Sequence, residues 1–304
     1  MLLIVEQLLN GLQFGVMLFL LAAGLTLVFG IMGLINLAHG SLYMIGAFAA
    51  AAVGRLTGSF ILALLGGVTA AALAGLAIEW LVLRRLYQRD HLDQVLATYG
   101  LILFFNEATT MLFGRQPLFA DVPAALGGSI EFIPGIPYPV YRLAILLVGG
   151  LVAALLYGLI ARTRIGMLVR AGTTDREMLR ALGVDVRLLY TAVFTLGALL
   201  AGLAGAMAGP IFSVQVGMGE PVLIQTFVVI IIGGVGSIRG AMAGALLVGL
   251  VDTMTRAFLP GLLRSMMPLS EADALGGGVS SIAVYVLMAG ILLWRPRGLL
   301  PAHG

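Results

Sequence analysis

The chain has 304 residues, 61% of them hydrophobic and 10% charged, with a formal net charge of +3. A soluble domain carries about a quarter charged residues, so there is too little polar side chain to cover a water-facing surface, and the chain reads as an integral membrane protein. Without cysteine, disulfides, thiolate metal sites and thiol catalysis are excluded. All 17 basic residues are Arg, gathered in short segments that set membrane topology and give no reason to expect nucleic acid.

Charge-free runs mark the helices in chain order. Residues 1–6 lack the basic head of a secretory signal, so the first apolar segment is expected to be retained structure. Residues 7–54 contain no Asp, Glu, Lys or Arg, enough for two spans with a break near Gly30–Asn36. Further charge-free runs cover 56–78, 143–161, 188–219, 221–238 and 274–294. Glu107 interrupts 94–114, and Asp252 and Arg256 interrupt 240–258. With roughly 20 apolar residues needed per crossing, the expected fold is all-α: a polytopic bundle of about eight or nine transmembrane helices. It forms a single transmembrane domain over 1–304.

Arg placement orients the bundle. Arg84, Arg85 and Arg89 follow the third run, six Arg residues crowd 162–187, and Arg295 and Arg297 follow the last run. Positively charged loops stay on the cytoplasmic side, which puts these segments and the carboxyl terminus inside. Segment 114–141 is of the opposite kind. Its five prolines (Pro117, Pro123, Pro134, Pro137, Pro139) end helices and withhold backbone N–H groups, so it reads as an external, irregular loop. Pro210, Gly217, Gly219 and Pro221 break 210–238, which either crosses the bilayer or partly re-enters it. The side of the amino terminus turns on that choice.

The pentamer Gly-Ala-Met-Ala-Gly occurs at 205–209 and again at 240–244. Each copy is a GxxxG pattern, which lets two helix backbones approach closely in lipid, and helix packing is the simpler reading than internal duplication. Among polar residues, Asn36, His39 and Tyr43 fall at i, i+3 and i+7, one face if the segment is helical. Unpaired polar groups are expensive in a bilayer, so this face either bonds to a neighbouring helix or lines a solute pathway. Glu79, five residues before Arg84, reads as interfacial, and Asp252 with Arg256 at i+4 as a helix-end pair. Glu107 has no basic partner at helical spacing and stands either as a structural or as a pathway residue.

Segment 164–186 carries the sharpest signal. Thr174 or Asp175 is placed to cap a short helix running to Leu182, and Gly183 to end it. Met178, Leu179 and Leu182 fall on one side of that helix, with Arg176, Glu177 and Arg180 elsewhere. An amphipathic helix on a basic face either lies at the lipid interface or docks on a soluble partner.

Three stretches carry a family resemblance. Residues 24–47, from Gly24-Leu-Thr through Asn36-Leu-Ala-His39-Gly40 to Ala47, closely resemble the signature of LivH-type permeases of branched-chain amino acid ABC importers. Residues 233–249 resemble a second signature of that family, and Trp294-Arg-Pro-Arg-Gly-Leu299 its usual carboxyl end. The family's cytoplasmic coupling loop has the spacing E-A-A-x3-G; here Glu177 and Gly183 keep that spacing while Met178 and Leu179 replace both alanines. The resemblance implies a type II-like ABC importer permease in the bacterial inner membrane, with a LivM-like second permease. Two cytoplasmic ATPases and a periplasmic solute-binding protein would complete it. It assigns the ATPase contact to 162–187, with Arg170, Asp175, Arg176, Glu177, Arg180 and Gly183 as candidates, and leaves Asn36, His39, Tyr43 and Glu107 as pathway candidates.

The residues themselves agree with a divided machine. The chain contains no G-x-x-x-x-G-K-[ST] and no Lys to complete one, so ATP binding by that motif is excluded and the energy must arrive from another polypeptide. No catalytic set, cofactor site or metal cluster assembles, and an intramembrane enzyme is set aside. The competing readings are a permease for urea or short amides, and a secondary transporter acting alone through Glu107 or Asp252.

Overall fold

The apolar runs fold into helices close to where the charge gaps place them. The computed structural model describes residues 2–87, 89–133 and 135–301, the side chains of 132, 133, 136, 176 and 269–277 excepted. Its helices are α1 (Leu2–Met32), α2 (His39–Thr57), α3 (Phe60–Ile78), α4 (Arg84–Leu86), α5 (His91–Phe113), α6 (Val140–Arg162), α7 (Arg164–Thr174), α8 (Arg176–Ala181), α9 (Val186–Ala208), α10 (Gly219–Gly233), α11 (Ile238–Arg264) and α12 (Leu269–Trp294). A π-helical turn, Glu79–Leu83, joins α3 to α4. Among the described residues six helices are long and apolar enough to cross a membrane: α1, α3 with its extension to Leu86, α5, α6, α9 and α11. The chain is thus a multi-pass, predominantly helical membrane protein. Helix α10 and the Gly278–Trp294 part of α12 are apolar as well, and the six long helices do not by themselves fix the eight or nine crossings expected.

The Pro-rich loop is less irregular than its sequence suggests. It contains a short 3-10 turn (Ala124–Leu126) and a two-stranded antiparallel hairpin, β1 (Ser129–Ile133) with β2 (Ile136–Pro139). Pro137 and Pro139 fit because each strand has a free edge, and alternation turns their nitrogens outward. The inward set includes the Val140 N–H, which donates to the Gly128 carbonyl at 2.9 Å. Pro134 lies outside the described residues.

Contacts gather into two compact units, one of residues 1–19, 124–150 and 225–304, the other of 20–123 and 151–224. In the second, α2, α3 and α9 form the core along a seam of small residues. A Cβ on Gly46 would lie 2.5 Å from the Gly202 carbonyl oxygen, one on Gly202 2.4 Å from Ala71, and one on Gly75 2.4 Å from Ala198. Helices pack this closely in lipid only where side chains are nearly absent. Gly46→Ala is therefore expected to destabilise the chain by about 1–3 kcal/mol through overpacking, read as a lower melting temperature in detergent; an unchanged melt would contradict the seam.

The three stretches that carry the resemblance prove to be packing code. Gly24 faces Gly197 across the α1–α9 crossing, Gly33 (φ +61°) ends α1, and Gly40 lies against the Gly219 carbonyl. In the first unit, Gly233 meets Gly240, Gly244 meets Val229, and Gly249 packs between Gly11 and Gly15. The carboxyl-terminal stretch folds back onto the end of α10. Gly298 (φ +84°) approaches Gly234, and the Leu299 and Leu300 N–H groups donate to the Ile232 and Gly233 carbonyls at 2.8 and 3.0 Å. These bonds satisfy carbonyls that a helix end otherwise leaves open. The repeated pentamers serve different partners: Gly205 packs on the Tyr43 carbonyl of α2, whereas Gly240 and Gly244 pack on α10.

Candidate functional site

Segment 162–187 folds as a chain of capped turns. Thr163 caps α7, its hydroxyl accepting from the Gly166 N–H at 3.1 Å. Asp175, not Thr174, caps α8: its Oδ1 accepts from the Glu177 and Met178 N–H groups, each at 2.9 Å. Gly183 has φ +80° and closes the helix. Its N–H donates to the Arg180 carbonyl at 3.0 Å and the Val184 N–H to the Leu179 carbonyl at 3.1 Å, the paired bonds of a Schellman end. Asp185 then caps α9 through the Arg187 and Leu188 N–H groups. Between these caps the backbone has little freedom.

One side chain seats α8. Leu179 is 4% exposed and lies over Gly172, in a socket shared with Ile31 and Leu189. The expected common apolar face is corrected here: Met178 (57% exposed) and Leu182 (72%) point away from the protein. A six-residue helix turns less than twice, so burying Leu179 leaves its apolar neighbours outward. Arg170, Asp175, Glu177, Arg180 and Gly183 are exposed as well, and the Arg176 side chain lies outside the described residues. The result is a knob capped at both ends, with two exposed apolar side chains among charged ones.

Behind the knob stands a buried polar cluster that the sequence reading misplaced. Glu79, expected at the interface, is fully buried. Arg84 Nε donates to its two oxygens at 3.1 and 3.2 Å, and the Tyr87 hydroxyl donates to Oε1 at 2.7 Å. The Thr191 hydroxyl of α9 is 3.0 Å from both Glu79 Oε2 and the Arg187 carbonyl, which share its proton, and it accepts from Arg84 at 3.0 Å. The π-helical turn explains the register. Its Arg84 N–H donates to the Glu79 carbonyl, which brings residues five apart onto one face. Burial, and then the bond to Glu79, raise the Tyr87 hydroxyl above its ordinary pKa, so it remains a donor. Tyr87 also meets Tyr190 edge-on, ring centroids 5.1 Å apart.

The pathway candidates separate. Asn36 is not on a helical face with His39 and Tyr43. It sits in the break between α1 and α2, where its Oδ1 accepts from the Ala38 N–H at 3.0 Å, an Asx turn that competes with helix. His39 and Tyr43 do share a face of α2, and both are buried. Neither His39 ring nitrogen makes a hydrogen bond of good geometry, and nor does Asn36 Nδ2. Glu107 is exposed on α5, while its neighbour Asn106 donates to Glu220 Oε1 at 2.6 Å. Asn106 and Glu220 line a narrow cleft with Ser41, Met44 and the Gly40–Gly219 contact. The sequence signal for this pair was Glu220 itself, the one charge between 188 and 238. Asp252 and Arg256 are paired as expected, at 2.8 Å, but in the middle of α11 and not at its end.

The comparisons agree with one another. A family described as the permease component of branched-chain amino acid transport systems matches residues 7–293. The high-affinity branched-chain amino acid transport system permease protein BraD of Pseudomonas aeruginosa is 30% identical, covering 97% of this chain and 95% of the relative. LivH of Escherichia coli, a protein of the same description, is 29% identical over 84% and 86%. A probable LivH of Methanocaldococcus jannaschii is 27% identical over 93% and 88%. No solved structure matches the chain. The match runs through the α1–α2 break, the capped 162–187 segment and the α10–α11 seam together, and the chain belongs to the family of branched-chain amino acid transport system permease components.

Proposed function

We propose that this chain is the membrane permease subunit of an ATP-driven importer for branched-chain or related amino acids in the bacterial inner membrane. It forms the translocation pathway with a second, LivM-like permease. Two cytoplasmic ATPases drive it, and a periplasmic binding protein delivers the solute. The family membership and the names of the relatives support the substrate class. The observation that carries the coupling role is α8: capped at both ends, seated by Leu179, and presenting Met178 and Leu182 outward within the Arg-rich segment. By the positive-inside rule that segment faces the cytoplasm, where the ATPases are. ATPase closure would press on this knob and shift the permease between inward- and outward-open states.

Gly183 gives the test. A proline there is held near φ −65° and has no N–H, so it forbids the +80° turn that ends α8 and removes the bond to Arg180. In the assembled transporter, Gly183→Pro is expected to leave the melting temperature within a few degrees and cut uptake at least tenfold while ATP hydrolysis continues. Uptake at the wild-type rate would sink α8 as the coupling element.

A further inference from the structure

The fully buried Glu79 carboxylate, with Arg84 and Tyr87 from its own element and Thr191 from α9, is more than interfacial balance requires. An acid placed only to anchor a helix end would reach outward toward the headgroups, whereas this one is fully buried within the protein. It stands where movement of α8 must pass. Leu182 to Asp185 tie α8 directly to α9, Leu179 and Leu189 share one socket, and Thr191 lies in the second turn of α9. Beyond Thr191, α9 and α3 interlock through Gly75 with Ala198 and Gly202 with Ala71. We propose that Glu79 is the joint that transmits displacement of the α8 knob to α3: a positioning residue whose hydrogen bond to Thr191 makes the start of α9 and the π-helical end of α3 move as one body.

The π-helical turn suits that task. It carries one residue more than the α-helix around it, and such a turn relaxes by passing the extra residue along the helix. Arg84 and Tyr87 hold the carboxylate from its own stretch of helix, and the Thr191 hydroxyl joins the cluster to α9 through its bonds to Glu79 and Arg84. Removing that hydroxyl cuts the polar link between the π-helical turn and the start of α9 while leaving the acid paired with Arg84 and Tyr87. This inference rests on the importer reading.

The test uses the complete transporter in proteoliposomes, with Thr191→Val, Thr191→Ser and Glu79→Gln in the permease, reading assembly, ATP hydrolysis and uptake together. Thr191→Val keeps the size of the side chain and leaves Glu79 its Arg84 and Tyr87 partners, so it remains informative if Glu79→Gln folds poorly. Thr191→Val is expected to assemble, hydrolyse ATP within twofold of wild type and lose at least tenfold in uptake, raising the ATP spent per solute. Thr191→Ser, which restores the hydroxyl, is expected to recover most of the uptake. Hydrolysis and uptake falling in proportion, or uptake unchanged in Thr191→Val, would overturn the joint. A wild-type complex without ATP-dependent uptake would instead overturn the importer reading beneath it.

Discussion

Replacing Met178 and Leu182 together by Asp should leave the permease as stable as the wild type and strip it of its ATPase partners. Both side chains are mostly exposed, so their replacement removes little buried surface, and surface changes of this kind stay within about 0.5 kcal/mol. At a desolvated interface centre, truncating an apolar anchor weakens binding by about 2 kcal/mol or more, and buried unpaired carboxylates add to that. The expected result is a normal melt with the ATPase lost on co-purification. Leu179→Ala should do the reverse first. It empties the socket over Gly172, destabilising by about 2–5 kcal/mol, and loosens α8 whether or not a partner is present. Because the chain has no cysteine, Leu182→Cys also gives a single site for crosslinking to the ATPase. If the Asp pair co-purifies with ATPase as well as the wild type does, the knob is not the contact.

The second large effect is expected at Arg84. Arg84→Leu leaves the Glu79 carboxylate buried with only two neutral hydroxyl partners. Breaking a buried ion pair from one side costs about 3–5 kcal/mol, and with the Arg84 side chain 36% exposed the expected loss is near the lower figure. Replacing both residues by Leu removes charge and partner together and should recover more than half of the loss. Thermal melts of the two single variants and the double variant decide it. A double variant less stable than Arg84→Leu would mean that the cluster stabilises the fold by more than mutual compensation.

How far residues led before structure varies with the range of the interaction. The helices were legible because a charge is costly in hydrocarbon, so charge-free runs mark spans directly. The α8 caps were legible because Asp175 and Gly183 act within a few residues of themselves. Longer range defeated the reading. Asn106 and Glu220 are 114 positions apart and show no common spacing. Glu79 was taken as interfacial because its burial depends on a π-helical turn, which no periodicity announces, and on Thr191, 112 positions away. Asn36 shares a face with His39 and Tyr43 only if that segment is helical, and Gly33 and the Asx turn instead put it in the break expected near Gly30–Asn36. The glycines of the family stretches carried the resemblance, and the pentamer at 240–244 among them read as helix packing. Their neighbours show them to be the places where backbones touch.

Those distinctions bear on one claim: that this chain carries solute only when another polypeptide hydrolyses ATP against its α8 knob. The measurement that tests it most directly is uptake of radiolabelled leucine into proteoliposomes holding the permease pair, with and without ATPase subunits, ATP and loaded binding protein. Uptake is expected only when all are present, abolished by a non-hydrolysable nucleotide and indifferent to a proton gradient. Uptake by the permease alone, driven by that gradient without ATP, would contradict it.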